Sequence, residues 1–220
     1  MSQCLVVGAG PGLSASIARR LAARGHVVTL AARDPSDLAG LADEIGARTV
    51  AVDAREPADM ARLFEGFDDL AVAVYNPSAR TRAAIEDLTP EQAENALMVS
   101  AFGAYLMAHH AVPMMKRRGE GALLFTGASA GVKGFANSAA FAMGKFALRG
   151  LCQSLARELH PQNIHVGHFV IDGAIASGAS GHGDDRLDPD AIAETYMAFL
   201  DQHRSAWGWE IELRPFVEKF

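Results

Sequence analysis

The sequence predicts an α/β fold: one parallel sheet of about seven strands, doubly wound, with helices on both faces. Two observations carry this. Short apolar runs alternate with helical segments along the whole chain, and strands joined through helices need crossover connections, which make a sheet parallel and cover both its faces. A glycine cluster also separates the first apolar run from the first helix, as a tight strand-to-helix turn requires.

The first strand is "CLVV", a continuous apolar run ending in glycines, and the helical pattern "LSASIARRLAARG" follows it. The alternation continues with "HVVTLAA" and "PSDLAGLADEIG", then "RTVAV" and "EPADMARLFEGF". "LAVAVY" precedes a long helical segment, "TPEQAENALMVSAFGAYLMAHHAVPMM", with its helix running from Glu91 to Met115. "GALLFTG" precedes a helix from Asn137 to His160, and "IHVGHFVI" precedes "DPDAIAETYMAFLDQH". The stretch from Ala176 to Pro189, "ASGASGHGDDRLDP", reads either as a lid over a ligand or as a plain connector. The tail "WGWEIELRPF" alternates as a final strand, in which Trp207 and Trp209 pack a core or a subunit contact.

With 220 residues, 50% hydrophobic and 21% charged, and no shift in composition, the chain forms one globular domain. A net charge of −6 gives no electrostatic footprint for nucleic acid or an anionic membrane surface, so the expected partner is a small molecule. Two cysteines, Cys4 and Cys152, are too few for a disulfide framework and read as buried small apolar residues. No basic leader or membrane-length apolar run is present, so a soluble cytoplasmic protein is expected. No His/Cys/Asp cluster has metal-ligand spacing and no GxSxG points to a hydrolase.

"VVGAGPGLSASIA" places Gly8, Gly10 and Gly12 between the first strand and the first helix. Glycines there allow the turn and let the backbone approach a pyrophosphate, which the helix N-terminus stabilises. GxGxxG is not met, because Leu13 stands where its last glycine would be; the spacing that fits is GxxxGxG, with Gly8, Gly12 and the small Ser14 in last place. After the second strand, Arg33 follows Ala31 and Ala32, and no acidic side chain stands at those two positions. A carboxylate there would accept from a ribose hydroxyl, whereas a guanidinium suits a 2′-phosphate, so NADP(H) is favoured over NAD(H). The alternative is a solvated arginine beside Asp34.

One position breaks an otherwise regular helix. In "AAFAMGKFALRGL" the apolar stripe through Phe141, Leu148, Cys152, Leu155 and Leu159 also contains Lys145. A buried ammonium needs partners.

From the glycine loop to Ala176 the chain resembles the short-chain dehydrogenase/reductase family, which has a Rossmann-like fold of about this size. The matching stretches are the loop at Gly8 to Ser14, Asp53 after the third strand, "YNPSA" after the fourth, and "TGASAGVKGFANSAAFAMGK" with the helix and strand that follow. The resemblance implies a cofactor-binding core over residues 1–175, with a substrate loop, helix and final strand over 176–220. It places Asp53 near the adenine, Asn76 in the family's Asn-Asn-Ala-Gly stretch, and Lys145 on the nicotinamide ribose. Leu13 falls among its cofactor-contacting positions, as do Asp172, Gly173 and Ile175, where "VIDGAI" replaces the family's proline-glycine.

The catalytic pattern departs from the family. Its YxxxK tyrosine is Phe141 here, its serine falls on Ala128 with Ser129 one residue along, and its helix asparagine falls on Ser100. Phenylalanine neither donates nor accepts a proton, so the catalytic set expected from the resemblance reduces to Lys145, Ser129 and Ser100 around Phe141. Substitute proton donors are Ser129 after a loop shift, Tyr75, or water held by Lys145. Asp172 reads as a solvated loop residue or a new acid/base group, and His168 as a satisfied sheet histidine. Two functions follow: an NAD(P)(H)-dependent oxidoreductase with an altered proton relay acting on a small carbonyl or alcohol, or a non-catalytic NADP(H)-binding sensor or partner protein. The resemblance also implies a homodimer through the two long helices, or a homotetramer if Trp207, Trp209 and Phe216 add a second contact.

Overall fold

Alternate residues of the first strand face two different cores. The computed structural model describes residues 1–176 and 183–218. Its elements are β1 (Gln3–Val7), α1 (Leu13–Ala23), β2 (Val27–Ala32), α2 (Ala39–Ile45), β3 (Arg48–Ala51), α3 (Pro57–Phe64), β4 (Leu70–Tyr75), α4 (Pro90–Leu97), α5 (Gly103–Arg118), β5 (Gly121–Thr126), α6 (Ala139–Leu159), β6 (Ile164–Ile171), β7 (Ala174–Ile175), β8 (Arg186–Leu187), α7 (Pro189–Leu200) and β9 (Glu210–Leu213). In β1, Cys4 and Val6 join a buried cluster with α1 and α7, whereas Leu5 and Val7 join one with α3, α5 and α6. Strand side chains alternate between faces, so a strand apolar at every position belongs in the middle of a sheet covered twice.

Seven strands pair in the order β3-β2-β1-β4-β5-β6-β9, all parallel. This is the doubly wound, Rossmann-like arrangement. From β1 the chain moves outward through β2 to β3, then crosses back to place β4 on the other side of β1. The loops after β1 and β4 therefore leave neighbouring strand ends in opposite directions and open a crevice between them.

Two features differ from the sequence expectation. The long helical segment is divided: a π-helical turn, Met98–Phe102, separates α4 from α5. One extra residue in a turn leaves the apolar periodicity on either side intact, so the pattern did not show it. At this turn α6 lies so close that a Cβ on Gly144 would stand 2.5 Å from the Ala96 carbonyl oxygen. Part of the presumed connector is ordered as β8, which pairs in parallel with β7. Residues 177–182, with the lid-or-connector question, lie outside the described residues.

The tail follows the expectation. β9 pairs with β6 as the alternation predicted, and both tryptophans pack within the chain. Trp207 stacks on His165, 4.2 Å between ring centroids, and its indole N–H donates to the Gln202 carbonyl at 3.1 Å. Trp209 packs on the α5/α6 core, with the Arg149 guanidinium 5.7 Å from its ring centroid. Both cysteines are buried, and burial pushes the Cys4 thiol up to about 12. Among the described residues no helix is long and apolar enough to cross a membrane.

Candidate cofactor site and active site

Gly8 is required twice over. Its φ of +75° is a conformation that side chains resist, and a Cβ there would lie 2.7 Å from the Pro77 ring. Gly10 and Gly12 differ, because a Cβ on either would meet nothing within 4 Å. The protein's own packing does not demand glycine at these positions; the bare backbone leaves open space in front of α1. Gly12 caps α1 without a side-chain hydrogen bond and its carbonyl accepts from the Ala15 and Ser16 N–H groups, so the N–H groups of Leu13 and Ser14 and the positive end of the helix dipole face that space. These features fit a dinucleotide pyrophosphate.

Ser14, in the place of the motif's last glycine, works as a latch. Its Oγ donates to the Gly8 carbonyl at 3.0 Å and accepts from Asn76 Nδ2 at 2.6 Å, while the Asn76 backbone N–H donates to the Val7 carbonyl at 3.0 Å. Asn76 thus ties the loop after β4 to the loop after β1. The Leu13 side chain is buried in the core with Ile17 and supports the helix from behind.

A cavity of about 880 Å³ runs along the crevice, lined among others by Gly8, Arg33, Asp53, Asn76, Arg80 and Val99. Arg33 reaches it from the end of β2. Asp53 also lines it, with its carboxylate occupied: Arg55 Nη2 donates to one oxygen at 2.6 Å and Nε to the other at 3.0 Å, while Arg55 Nη1 reaches Asn95 Oδ1 at 3.0 Å. The hydrogen bonds from Arg55 hold Asp53 below the usual carboxylate range. Sequence reasoning missed Arg55 and Arg80. Their only sequence signals were charges in "VDAREP" and "NPSARTR", two and four residues beyond Asp53 and Asn76.

Lys145 is 2% exposed, and its Nζ donates to the Thr126 carbonyl at 2.9 Å. An ammonium has three N–H donors; no further acceptor stands among the described residues, which fits ribose hydroxyls as the missing partners. Burial drops its pKa to about 8. Phe141, one helical turn earlier, is half-buried with the Arg80 guanidinium 5.7 Å from its ring centroid. Ser100 lies in the π turn, fully buried, and its Oγ has no partner among the described residues.

Beyond Ala128, Ser129 opens a 3₁₀ turn, and its side chain hydrogen-bonds Asp172. Asp172 is buried, 3.1 Å from Lys133 Nζ and 3.7 Å from Arg214 Nη2. The solvated reading of Asp172 is thereby corrected. Burial alone would raise its pKa, but the Ser129 hydrogen bond and the two cations outweigh it and hold the carboxyl below its ordinary range. Gly173, at φ +156°, leaves 2.9 Å between a hypothetical Cβ and the Pro215 ring, and Ile175 packs on the α1/α7 core from β7.

Two other expectations change. Tyr75 is fully buried and its hydroxyl donates to the Val99 carbonyl at 2.5 Å. Burial raises its pKa further, so it is no proton donor for a ligand. His168 is only half satisfied: Nδ1 pairs with Glu210 at 3.0 Å while Nε2 is buried without a partner among the described residues. Burial pushes its pKa down against the pull of Glu210. No group of three His, Cys, Asp or Glu among the described residues could hold a metal ion.

The family model described as short chain dehydrogenase matches residues 2–181. The chain belongs to the short-chain dehydrogenase/reductase family of oxidoreductases, whose members use nicotinamide dinucleotides. It is 29% identical over 86% of its length to the 3-oxoacyl-[acyl-carrier-protein] reductase MabA of Mycobacterium bovis, covering 75% of that protein. It is 32% identical over 74% of its length to trans-4-hydroxycyclohexanecarboxylate dehydrogenase of Sinomonas cyclohexanicum, covering 68% of it. A short-chain dehydrogenase structure from Rhodopseudomonas palustris superposes with a TM-score of 0.88 at 33% identity, over 98% of this chain and 99% of that one. At 22% identity, an alcohol dehydrogenase of Thermococcus sibiricus complexed with 5-hydroxy-NADP shares the fold with a TM-score of 0.88, over 100% of this chain and 98% of that one.

Lys145 generates a stability prediction. Its folded pKa of about 8 lies below the ordinary 10.5, so between these values the unfolded chain binds the extra proton and stability rises with pH. The buried charge therefore costs the ligand-free protein up to about 3 kcal/mol below pH 8. Lys145→Met should raise the thermal midpoint by several degrees at pH 7, with the gain shrinking towards pH 10.5. A gain that grows with pH, or none at pH 7, contradicts the assignment.

Proposed function

We propose that the protein is an NADP(H)-dependent oxidoreductase acting on a small carbonyl or alcohol substrate, with a proton route that does not use the family's tyrosine. The observation that carries the reading is the crevice itself, where bare glycine backbone faces open space and Arg33 stands beside Ala31 and Ala32 instead of an acid. The Gly8–Gly12 loop and the first turn of α1 would hold the pyrophosphate, Arg33 the 2′-phosphate, and Lys145 the nicotinamide ribose. When bound, the nicotinamide supplies or takes the hydride. The relatives' names support the class: one is a 3-oxoacyl reductase, the other a dehydrogenase named for a hydroxy compound.

Phe141 removes a proton donor worth roughly two to four orders of magnitude in rate. Ser129 is the hydroxyl that replaces it in this proposal. With Asp172 ionised, Ser129 can take a proton from a substrate alcohol and pass its own to the carboxylate. A carboxyl held below its ordinary range is ionised and open to accept that proton, but it is a weak base, and it must first be protonated from solvent before it can donate in the reverse direction.

Two copies of the chain are proposed to pair through the long helices. Tyr105 on α5 is 45% exposed, and Met143 and Phe146 on α6 are 47% and 44% exposed, an apolar content that a partner helix pair would cover.

Calorimetric titration should show NADPH binding more tightly than NADH, and Arg33→Ala should weaken NADPH by about 10- to 100-fold while leaving NADH unchanged. Binding of neither nucleotide removes the reading. Phe141→Tyr should raise reduction of simple aldehydes or ketones by about a hundredfold; a cofactor-binding protein that stays inactive across a broad panel is instead a sensor or partner. Sedimentation at micromolar concentration should give a dimer, and a monomer would dismiss the helix pairing.

A further inference from the structure

Arg80 carries a charge that the cofactor leaves without a task. It is exposed on the segment after β4, four residues beyond Asn76, and it lines the crevice. Its neighbour Arg55 is neutralised by Asp53, whereas Arg80 makes no ion pair among the described residues. Its guanidinium contacts the Phe141 ring, 5.7 Å from the centroid. A cation over an aromatic face is oriented but not neutralised, so the N–H donors at its rim stay available.

The strand order separates Arg80 from Arg33. Arg33 follows β2 and Arg80 follows β4, with β1 and its glycine loop between them. Arg80 also reaches α6 at Phe141, one turn before Lys145. The cavity thus has an unpaired cation on each side of the pyrophosphate turn, and one 2′-phosphate cannot occupy both. The group facing Arg80 belongs to something other than the adenosine end of the dinucleotide.

We propose that Arg80 binds a carboxylate on the substrate, which makes small oxo acids and hydroxy acids the substrate class; this rests on the oxidoreductase reading above. The planar guanidinium matches a carboxylate through two parallel hydrogen bonds. One guanidinium balances one negative charge, which suits a monoanionic carboxylate better than a phosphate dianion. Ser78 and Thr81, on the same segment and lining the same cavity, add hydroxyls beside it. Phe141 then has a purpose: its ring fixes the guanidinium over the place where the family's phenol would stand.

The test compares wild type, Arg80→Ala and Arg80→Lys on matched pairs that differ only in charge: pyruvate with methyl pyruvate, acetoacetate with ethyl acetoacetate, and succinate semialdehyde with butanal, each with NADPH. Wild type should favour the acid of at least one pair by about tenfold or more in kcat/KM, mainly through KM. Arg80→Ala should abolish that preference and Arg80→Lys restore part of it, with the NADPH Kd unchanged in both. A second readout needs no turnover: glutarate should bind the NADPH-loaded wild type in calorimetry and bind Arg80→Ala at least about tenfold more weakly. Glutarate binding lost in Arg80→Ala without turnover of any substrate would leave the carboxylate site standing and sink the oxidoreductase reading. Equal or better turnover of the neutral partners, absence of carboxylate binding, or an equal loss of NADPH affinity in Arg80→Ala overturns the assignment of Arg80.

Discussion

Two loops leave adjacent strand ends in opposite directions, and a two-step hydrogen-bond chain holds them at a fixed separation. Asn76 donates to Ser14, and Ser14 donates to the Gly8 carbonyl. The cavity, the exposed end of α1 and the approach of Arg80 all hang on this joint, because each sits on one of the two loops or on the helix between them. The joint also explains why Gly8 cannot change. Its positive φ sets the carbonyl that Ser14 reaches, and Pro77 occupies the space that a side chain would need.

Around α6 the fold accepts several polar groups with incomplete partnerships. Lys145 uses one donor, and Ser100 Oγ and His168 Nε2 have no partner among the described residues. Buried polar groups are ordinarily satisfied, and those left open are costly. Ser100 meets α6 at Gly144, next to Lys145 in the chain, where a Cβ would stand 3.0 Å from the serine side chain. A stable ligand-free domain does not require such an arrangement, and its cost is offset only when something polar arrives.

Much of the fold was legible because its signals are local. Apolar runs, glycine punctuation and the helical stripe fix the order of elements, and the spacing of Gly8, Gly12 and Ser14 places the crevice. The lysine in the apolar stripe marked a buried charge in need of partners, and Lys145 is indeed buried. What stayed hidden depends on contacts distant in sequence. Arg80 reaches Phe141 across 60 intervening residues, and the carboxylate of the buried Asp172 is met by Ser129, Lys133 and Arg214. Tyr75 was misleading for the same reason, since composition supplies a phenol near the site but only the strand register turns its hydroxyl onto the Val99 carbonyl.

The last strand ends the sheet in a particular way. β9 is four residues long, alternates Glu210 and Glu212 with Ile211 and Leu213, and is followed by Arg214 and Pro215. Glu210 is held by Arg149 and His168, and Glu212 by Arg214. A short, charged edge closed by a residue with no backbone N–H offers a poor template for another chain's strand. This edge of the sheet is thereby protected from growing by accretion of further strands, a guard against edge-to-edge aggregation written into the composition of its terminal strand.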